Sequence, residues 1–269
     1  MSEDRVTIGV ADGVAHVRLN RPDRMNALDG AMFAALAATI EKLRAMQGVR
    51  VVVLSGAGKA FSAGLDRDLF SRMASGQPTG LPDDLATRTH GLANLPQQVA
   101  WGWRELPIPV IAAVHGAALG GGLQVALGAD IRYVAPDAKL SILEVKWGLV
   151  PDMAGFALLR SLARGDVIRE LAMTGRVISG AEAVPLGLAT AVYADPLQAA
   201  MRTAAEIAAR SPHAVRGIKR LANLADDASA GEVLLAESKE QAAIIGSANQ
   251  VEAILAGVQG RAGRFAEAG

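Results

Sequence analysis

The chain reads as an α/β protein, a spiral of βαβ units followed by an all-helical C-terminal region, and three observations carry that reading. Val49–Leu54, interrupted only by Arg50, and Pro107–His115 are apolar runs rich in β-branched residues, the pattern of parallel strands buried on both faces. Each empties into a glycine-bearing exit, Ala60–Leu65 and Leu119–Gln124. Beyond Asp195-Pro196 the composition turns to Ala-rich amphipathic helix. Strand–helix units recur without an exact internal repeat, which divides the chain into a core over residues 1–195 and a helical region over 196–269.

The elements follow in order. Val6–Val10 and Val14–Leu19 flank Asp12-Gly13, a short-range hairpin signal. Asn20-Arg21-Pro22-Asp23-Arg24 is a turn, and from Asp29 to Met46 apolar residues (Met32, Phe33, Leu36, Ile40, Leu43) recur at helical spacing. Val49–Leu54 is a strand that runs into Ser55-Gly56-Ala57-Gly58 and then Phe61–Asp66. Residues 71–86, rich in Ser, Gly, Pro and Asp, predict a mobile loop before a helix over 88–105. Pro107–His115 is the next strand, and a helix begins within 120–128. Ile131–Ala135 and Lys139–Ile142 are strands, and helices cover 153–163 and 166–173. The helical region is predicted over 197–210, 213–225, 230–246 and 248–257.

With 269 residues, 51% of them hydrophobic, the chain can bury a substantial core. Lys plus Arg equals 27 and Asp plus Glu equals 27, so no electrostatic attraction to nucleic acid or an anionic membrane is expected. Zero net charge with positive mean hydropathy fits a protein that assembles with copies of itself. The absence of cysteine excludes disulfides, thiolate metal sites and a cysteine nucleophile. Met1-Ser2-Glu3-Asp4-Arg5 has no apolar signal region, so a cytoplasmic location is expected. Ile108–Ala129 is apolar, but His115, Gln124 and the prolines at 107 and 109 favour a buried strand, turn and helix over a membrane span.

A glycine-bearing strand exit frees a backbone N–H with no side chain in the way. Two such donors aimed at one point stabilise a developing oxyanion, which suggests an enzyme acting on a carbonyl or thioester. The plain alternative for each segment is a tight turn in which glycine supplies positive φ.

In these segments the chain resembles the crotonase (enoyl-CoA hydratase/isomerase) superfamily. Asn20-Arg21-Pro22 through Asn26-Ala27-Leu28 is similar to its first CoA-contacting turn, and Lys59 through Asp66 to its first oxyanion segment. Ala113-Val114-His115-Gly116 through Gly120-Gly121-Gly122 resembles the second oxyanion segment. Gly180-Ala181-Glu182-Ala183 with Gly187-Leu188 resembles the linker into the C-terminal helices. The resemblance implies a crotonase-like spiral with a helical trimerisation region, a homotrimer or hexamer, and an acyl-CoA thioester of the kind met in fatty acid metabolism. It implies no metal and no cofactor, coenzyme A entering as part of the substrate. The implied oxyanion donors are the N–H groups of Leu65 and Gly121. The implied CoA or substrate contacts are Arg24, Met25, Ala27, Ala63, Asp66, Gly120 and Pro151. Asp66 is open between a CoA contact and a helix cap, and Arg24 between a CoA phosphate and an exposed turn.

Hydration of a conjugated double bond calls for a paired acid and base. The resemblance puts the family's two hydratase glutamates at Gln124 and Glu144. An amide does not titrate, so Gln124 either positions a water or substrate atom by hydrogen bonding or is only a polar helix residue. Glu144, in the run Ser141-Ile142-Leu143-Glu144, has few structural reasons to be buried alone. Asp152 stands where the family's typical hydratases carry glycine. Its dienoyl-CoA isomerases carry a Glu-then-Asp pair at this spacing and a similar Ile131-Arg132-Tyr133 run, although they place a carboxylate at the Gln124 position. Two carboxylates facing one acyl chain have pKa values pushed apart, giving one acid and one base. Asp152 also precedes Met153-Ala154-Gly155-Phe156 at a predicted helix start, where it could serve as an N-cap. His115 reads as a satisfied core histidine, and Trp147 and His90 are the neighbouring helpers considered.

Three functions follow. The first is an enoyl-CoA hydratase/isomerase-type enzyme leaning towards double-bond isomerisation with Glu144 and Asp152. The second is a hydrolase- or dehalogenase-type acyl-CoA enzyme with Asp152 as nucleophile. The third is a non-catalytic acyl-CoA-binding oligomer.

Overall fold

In the computed structural model, which describes residues 4–267, Asp12 and Gly13 adopt φ of 49° and 77°. That turn joins β1 (Val6–Ala11) to β2 (Val14–Leu19) as an antiparallel pair. α1 (Gly30–Ala45) starts where the Asp29 carboxylate accepts from Met32 N–H at 2.8 Å, satisfying one orphan donor of the first turn. β3 (Val51–Gly56) then lies parallel to β2. α2 (Arg67–Ala74) takes the first four residues of the predicted loop, because Asp66 caps it through Asp68 N–H.

Residues 75–94 contain no helix or strand. α3 (Leu95–Glu105) begins seven residues later than its apolar spacing predicts. Asn94 and Gln97 form a reciprocal capping box there, and Pro96 occupies the first turn. β4 (Val110–Val114), β5 (Ala117–Leu119), α4 (Gly121–Leu127), β6 (Ile131–Val134) and β7 (Lys139–Ser141) follow. A 3₁₀ turn spans Glu144–Trp147. The helix predicted over 153–163 is confined to α5 (Gly155–Leu159), because Ala154 is left-handed at φ 65°. The chain continues through α6 (Gly165–Thr174), β8 (Ile178–Ser179), α7 (Gly180–Ala183) and β9 (Ala191–Val192). It ends in α8 (Pro196–Ala208), α9 (Pro212–Ala225), α10 (Ala230–Ile244) and α11 (Ala248–Gln259).

The main sheet has the order β1-β2-β3-β4-β6-β9, parallel except for the first pair, and β5-β7-β8 form a smaller sheet beside it. Alternate residues explain the apolar runs. Val52, Leu54, Val110, Ala112 and Val114 face a core shared with Phe33, Ile40 and Trp103. Val51, Val53, Ile111 and Ala113 face the other way, onto Ala199, Ala200, Ala204 and Ala208 of α8. α8 therefore covers the second sheet face, its alanines allowing close approach. α9 is tied down by buried Lys219, whose ammonium donates to Trp103 O, Ile108 O and the Asp130 carboxylate. α10 buries no residue, and α11 exposes Ile254, Leu255 and Val258. The apolar stretch 108–129 is β4, β5 and α4, and no described helix is long and apolar enough to cross a membrane.

Candidate active site

The first glycine-bearing exit is held by the turn that precedes α1. Asn26, itself left-handed at φ 53°, donates from its side-chain amide to Ala57 O and Ala60 O and accepts from Arg21 N–H. Asn tolerates this backbone conformation better than most residues. Ser62 Oγ donates to Asn26 O and accepts from Gly64 N–H. Leu28 then bonds on both sides of Leu65, with Leu28 N–H to Gly64 O at 2.8 Å and Asp66 N–H to Leu28 O at 3.0 Å. In extended backbone successive N–H groups alternate in direction, so the Leu65 N–H faces away from Leu28. No described backbone acceptor receives it.

The second exit lies against the first. Ser62 N–H reaches Ala117 O and Leu119 N–H reaches Ser62 O. The approach leaves no room for side chains: a Cβ on Gly64 (φ 82°) would stand 2.3 Å from Leu119 O and 3.5 Å from Gly121 N. A Cβ on Gly122 would stand 2.5 Å from Ser62 O. These contacts, rather than turn geometry alone, explain the glycines. Gly121 is the first residue of α4, where the helix supplies no acceptor for its N–H, and no other described backbone carbonyl receives it. Leu65 and Gly121 both line one cavity.

Two carboxyl groups border it as well. Glu144 opens the 3₁₀ turn, is 9% exposed, and accepts from Gln124 Nε2 at 2.6 Å through Oε1. Its Oε2 is buried with no hydrogen-bond partner. Burial pushes the Glu144 carboxyl above its ordinary 4.5, and the nearby charge of Asp152 adds to the rise. Asp152 opens onto the cavity, yet the surrounding protein strips enough bulk water from its carboxyl to push it above 3.8. It is not the N-cap of α5: the residue before that helix is Ala154, which makes no side-chain capping bond.

Gln124 departs from the expectation that it handles water or substrate. It is 1% exposed and is not among the residues lining the cavity. Its Oε1 accepts from Met153 N–H and Gly155 N–H, both at 2.9 Å, while its Nε2 is engaged by Glu144. It stands behind Glu144 and holds it.

The cavity is ≈ 880 Å³. Of the other expected contacts, Arg24, Met25, Ala27, Ala63, Asp66 and Gly120 line it, whereas Pro151 does not. Asp66 combines both of its readings, since it lines the cavity and caps α2. Its buried carboxylate is also paired with the Arg21 guanidinium. That pairing and the Asp68 N–H hold it below 3.8 against the opposing effect of burial. His115 Nε2 meets Gly58 O at 2.9 Å, and His90 lies outside the cavity. Trp147, considered from sequence, lines the cavity; the residues missed are Arg21, Asn26 and Phe70, whose ring stacks on that of Trp147 with centroids 4.6 Å apart. An Asn next to a turn after Asn-Arg-Pro-Asp could have flagged Asn26. No local pattern links Phe70 to Trp147.

Comparison with known proteins gives this arrangement its relatives. The family model described as enoyl-CoA hydratase/isomerase matches residues 9–266. A mitochondrial Δ(3,5)-Δ(2,4)-dienoyl-CoA isomerase of Mus musculus is 36% identical over 225 residues, covering 77% of this chain; the chain spans only 64% of that protein's length. A peroxisomal protein of the same name from Arabidopsis thaliana is 33% identical over 260 residues, covering 94% of this chain and 93% of its own length. The crystal structure of a probable enoyl-CoA hydratase/isomerase from Mycobacterium abscessus superposes with a TM-score of 0.85 at 32% identity, covering 97% of this chain and 98% of that one. With paired strand exits, a shared cavity and a match over nearly its full length, the chain belongs to the enoyl-CoA hydratase/isomerase family.

Proposed function

We propose that the protein shifts the double bonds of an unsaturated acyl-CoA thioester. One observation carries the reading: Glu144 and Asp152 line the same cavity as Leu65 and Gly121, while the remaining position beside Glu144 is an amide. The Leu65 and Gly121 donors hold the thioester oxygen as negative charge develops on it. With a 3,5-dienoyl-CoA, ionised Asp152 takes a proton from the carbon next to the thioester. Charge then spreads along the conjugated chain onto that oxygen. Protonated Glu144 returns a proton at the far end of the conjugated system, giving the 2,4-diene; one proton leaves and one arrives. Glu144 is given the acid role because its burial and the nearby Asp152 charge both favour its protonated form, and Asp152 the base role because it is the more exposed of the two. The dienoyl-CoA isomerases among the relatives support this reading over hydration.

Arg24 at the cavity edge is suited to a CoA phosphate. The exposed Leu234, Leu235, Ile245, Ile254 and Leu255 suit burial against copies of the same chain in a trimer or hexamer. The test compares 3,5-dienoyl-CoA isomerisation with crotonyl-CoA hydration. Isomerisation dominating and falling in both Glu144→Gln and Asp152→Asn is expected. Both variants matching wild type on every substrate turned over would end the reading. A trapped acyl-enzyme on Asp152 would replace it with the hydrolytic one.

A further inference from the structure

The orientation of Gln124 is determined by what it accepts. Two backbone N–H groups, from Met153 and Gly155, converge on its Oε1, and an amide oxygen is the only atom of that side chain able to receive them. The NH₂ group is therefore forced towards Glu144, and it must donate to Oε1. An oxygen that accepts this bond is a poor place for a proton, so the proton of the neutral Glu144 carboxyl resides on Oε2, the atom with no partner of its own. The residues that grip Gln124 flank Ala154, whose left-handed backbone (φ 65°) follows two residues after Asp152. One buried amide thus touches both the acid and the segment that carries the base.

We propose that Gln124 is a positioning residue that keeps the reacting proton of Glu144 on Oε2 and fixes the segment bearing Asp152 relative to it. The proposal rests on Glu144 being the proton carrier described above. Among the described residues, the charge that acts on Glu144 is that of Asp152. From α4 there is only the neutral amide. From the segment before α5 there is Asp152, whose charge favours the protonated form. Within its own turn, Lys146 places its ammonium over the Trp147 ring, 5.6 Å from the centroid. The Gln124 donor favours the ionised form of Glu144 and opposes the effects of burial and Asp152.

Removing the donor accordingly raises the Glu144 midpoint. In Gln124→Met both the donor and the tie to residues 153 and 155 are lost. In Gln124→Glu the tie survives, but two carboxyl groups share one proton at the former amide contact, drawing it away from Oε2. The experiment follows the carboxyl stretch of Glu144 by infrared difference titration of the full chain, with Glu144→Gln as the subtraction reference, and records kcat and KM against pH for the same proteins. Expected are a rise of about one pH unit in the Glu144 midpoint in both variants, a tenfold change in its ionisation constant. The alkaline limb of kcat should move by the same amount, with kcat at least tenfold lower and KM within about threefold. A midpoint unchanged in both variants would overturn the proposal, as would a rate loss expressed in KM alone. The infrared titration needs no turnover, so it tests Gln124 even if the enzyme prefers another reaction.

Discussion

Two carboxylate pairs flank the same region of this molecule, and the protein treats them in opposite ways. Asp29 and Asp66 are surrounded by cations: Arg5 lies 2.8 Å from Asp29, and Arg21 bridges both carboxylates. Each also caps a helix, and each is held below the ordinary aspartate value despite the cost of burial. Glu144 and Asp152 have no cation partner among the described ion pairs, and both are pushed up. The difference teaches what each pair is for. A carboxylate held ionised by arginine orders a loop, whereas carboxyls left without a countercharge near neutral pH can exchange protons.

The most direct way to break this comparison is to remove the unpaired groups. Glu144→Gln and Asp152→Asn should each lower isomerisation by about 10²–10⁴-fold, the usual contribution of a positioned acid or base, with circular dichroism unchanged. Next in size is Gly64→Ala. Its Cβ would collide with Leu119 O, displacing the Leu65 N–H and costing about 10²-fold in kcat, with about 2 kcal/mol of stability lost in urea unfolding.

Arg21→Ala sharpens the other side of the comparison. It leaves the Asp66 carboxylate buried without its cation and should cost about 3 kcal/mol at pH 7, with a smaller effect on the chemical step. Since the Asp29 and Asp66 carboxyls are lowered, their stabilisation is present above 3.8 and is lost as pH falls through their folded values. The gap between wild type and Arg21→Ala should therefore narrow in acid. Smallest, and of opposite sign, is the stability of Glu144→Gln. A raised carboxyl favours the folded state most below 4.5, and that contribution disappears as pH rises through its folded value. The variant should melt slightly above wild type at pH 8 and lose that advantage near pH 4.

Much of the scaffold was legible because it depends on short-range pattern. The Asp12-Gly13 turn, the two apolar strand runs and the spacing of Met32 through Leu43 lie where their patterns place them. α3 was misplaced at its start because apolar spacing does not outweigh the Asn94–Gln97 box. In the site, the two strand exits and the carboxyl groups at 144 and 152 were visible as residue types. The role of Gln124 was not, because the direction of its amide is set by N–H groups 29 and 31 residues away in sequence. Arg21 was hidden for the same reason, as its partner Asp66 belongs to another turn.

The central claim is that the uncompensated pair moves a proton along an acyl chain. Proton NMR of the product formed from a 3,5-dienoyl-CoA in D₂O tests it most directly. The account predicts a 2,4-diene carrying one deuteron at the end of the conjugated system remote from the thioester, formed by wild type and nearly abolished in Glu144→Gln. A hydroxylated product, or the same labelled diene formed at the wild-type rate by Glu144→Gln, would contradict it.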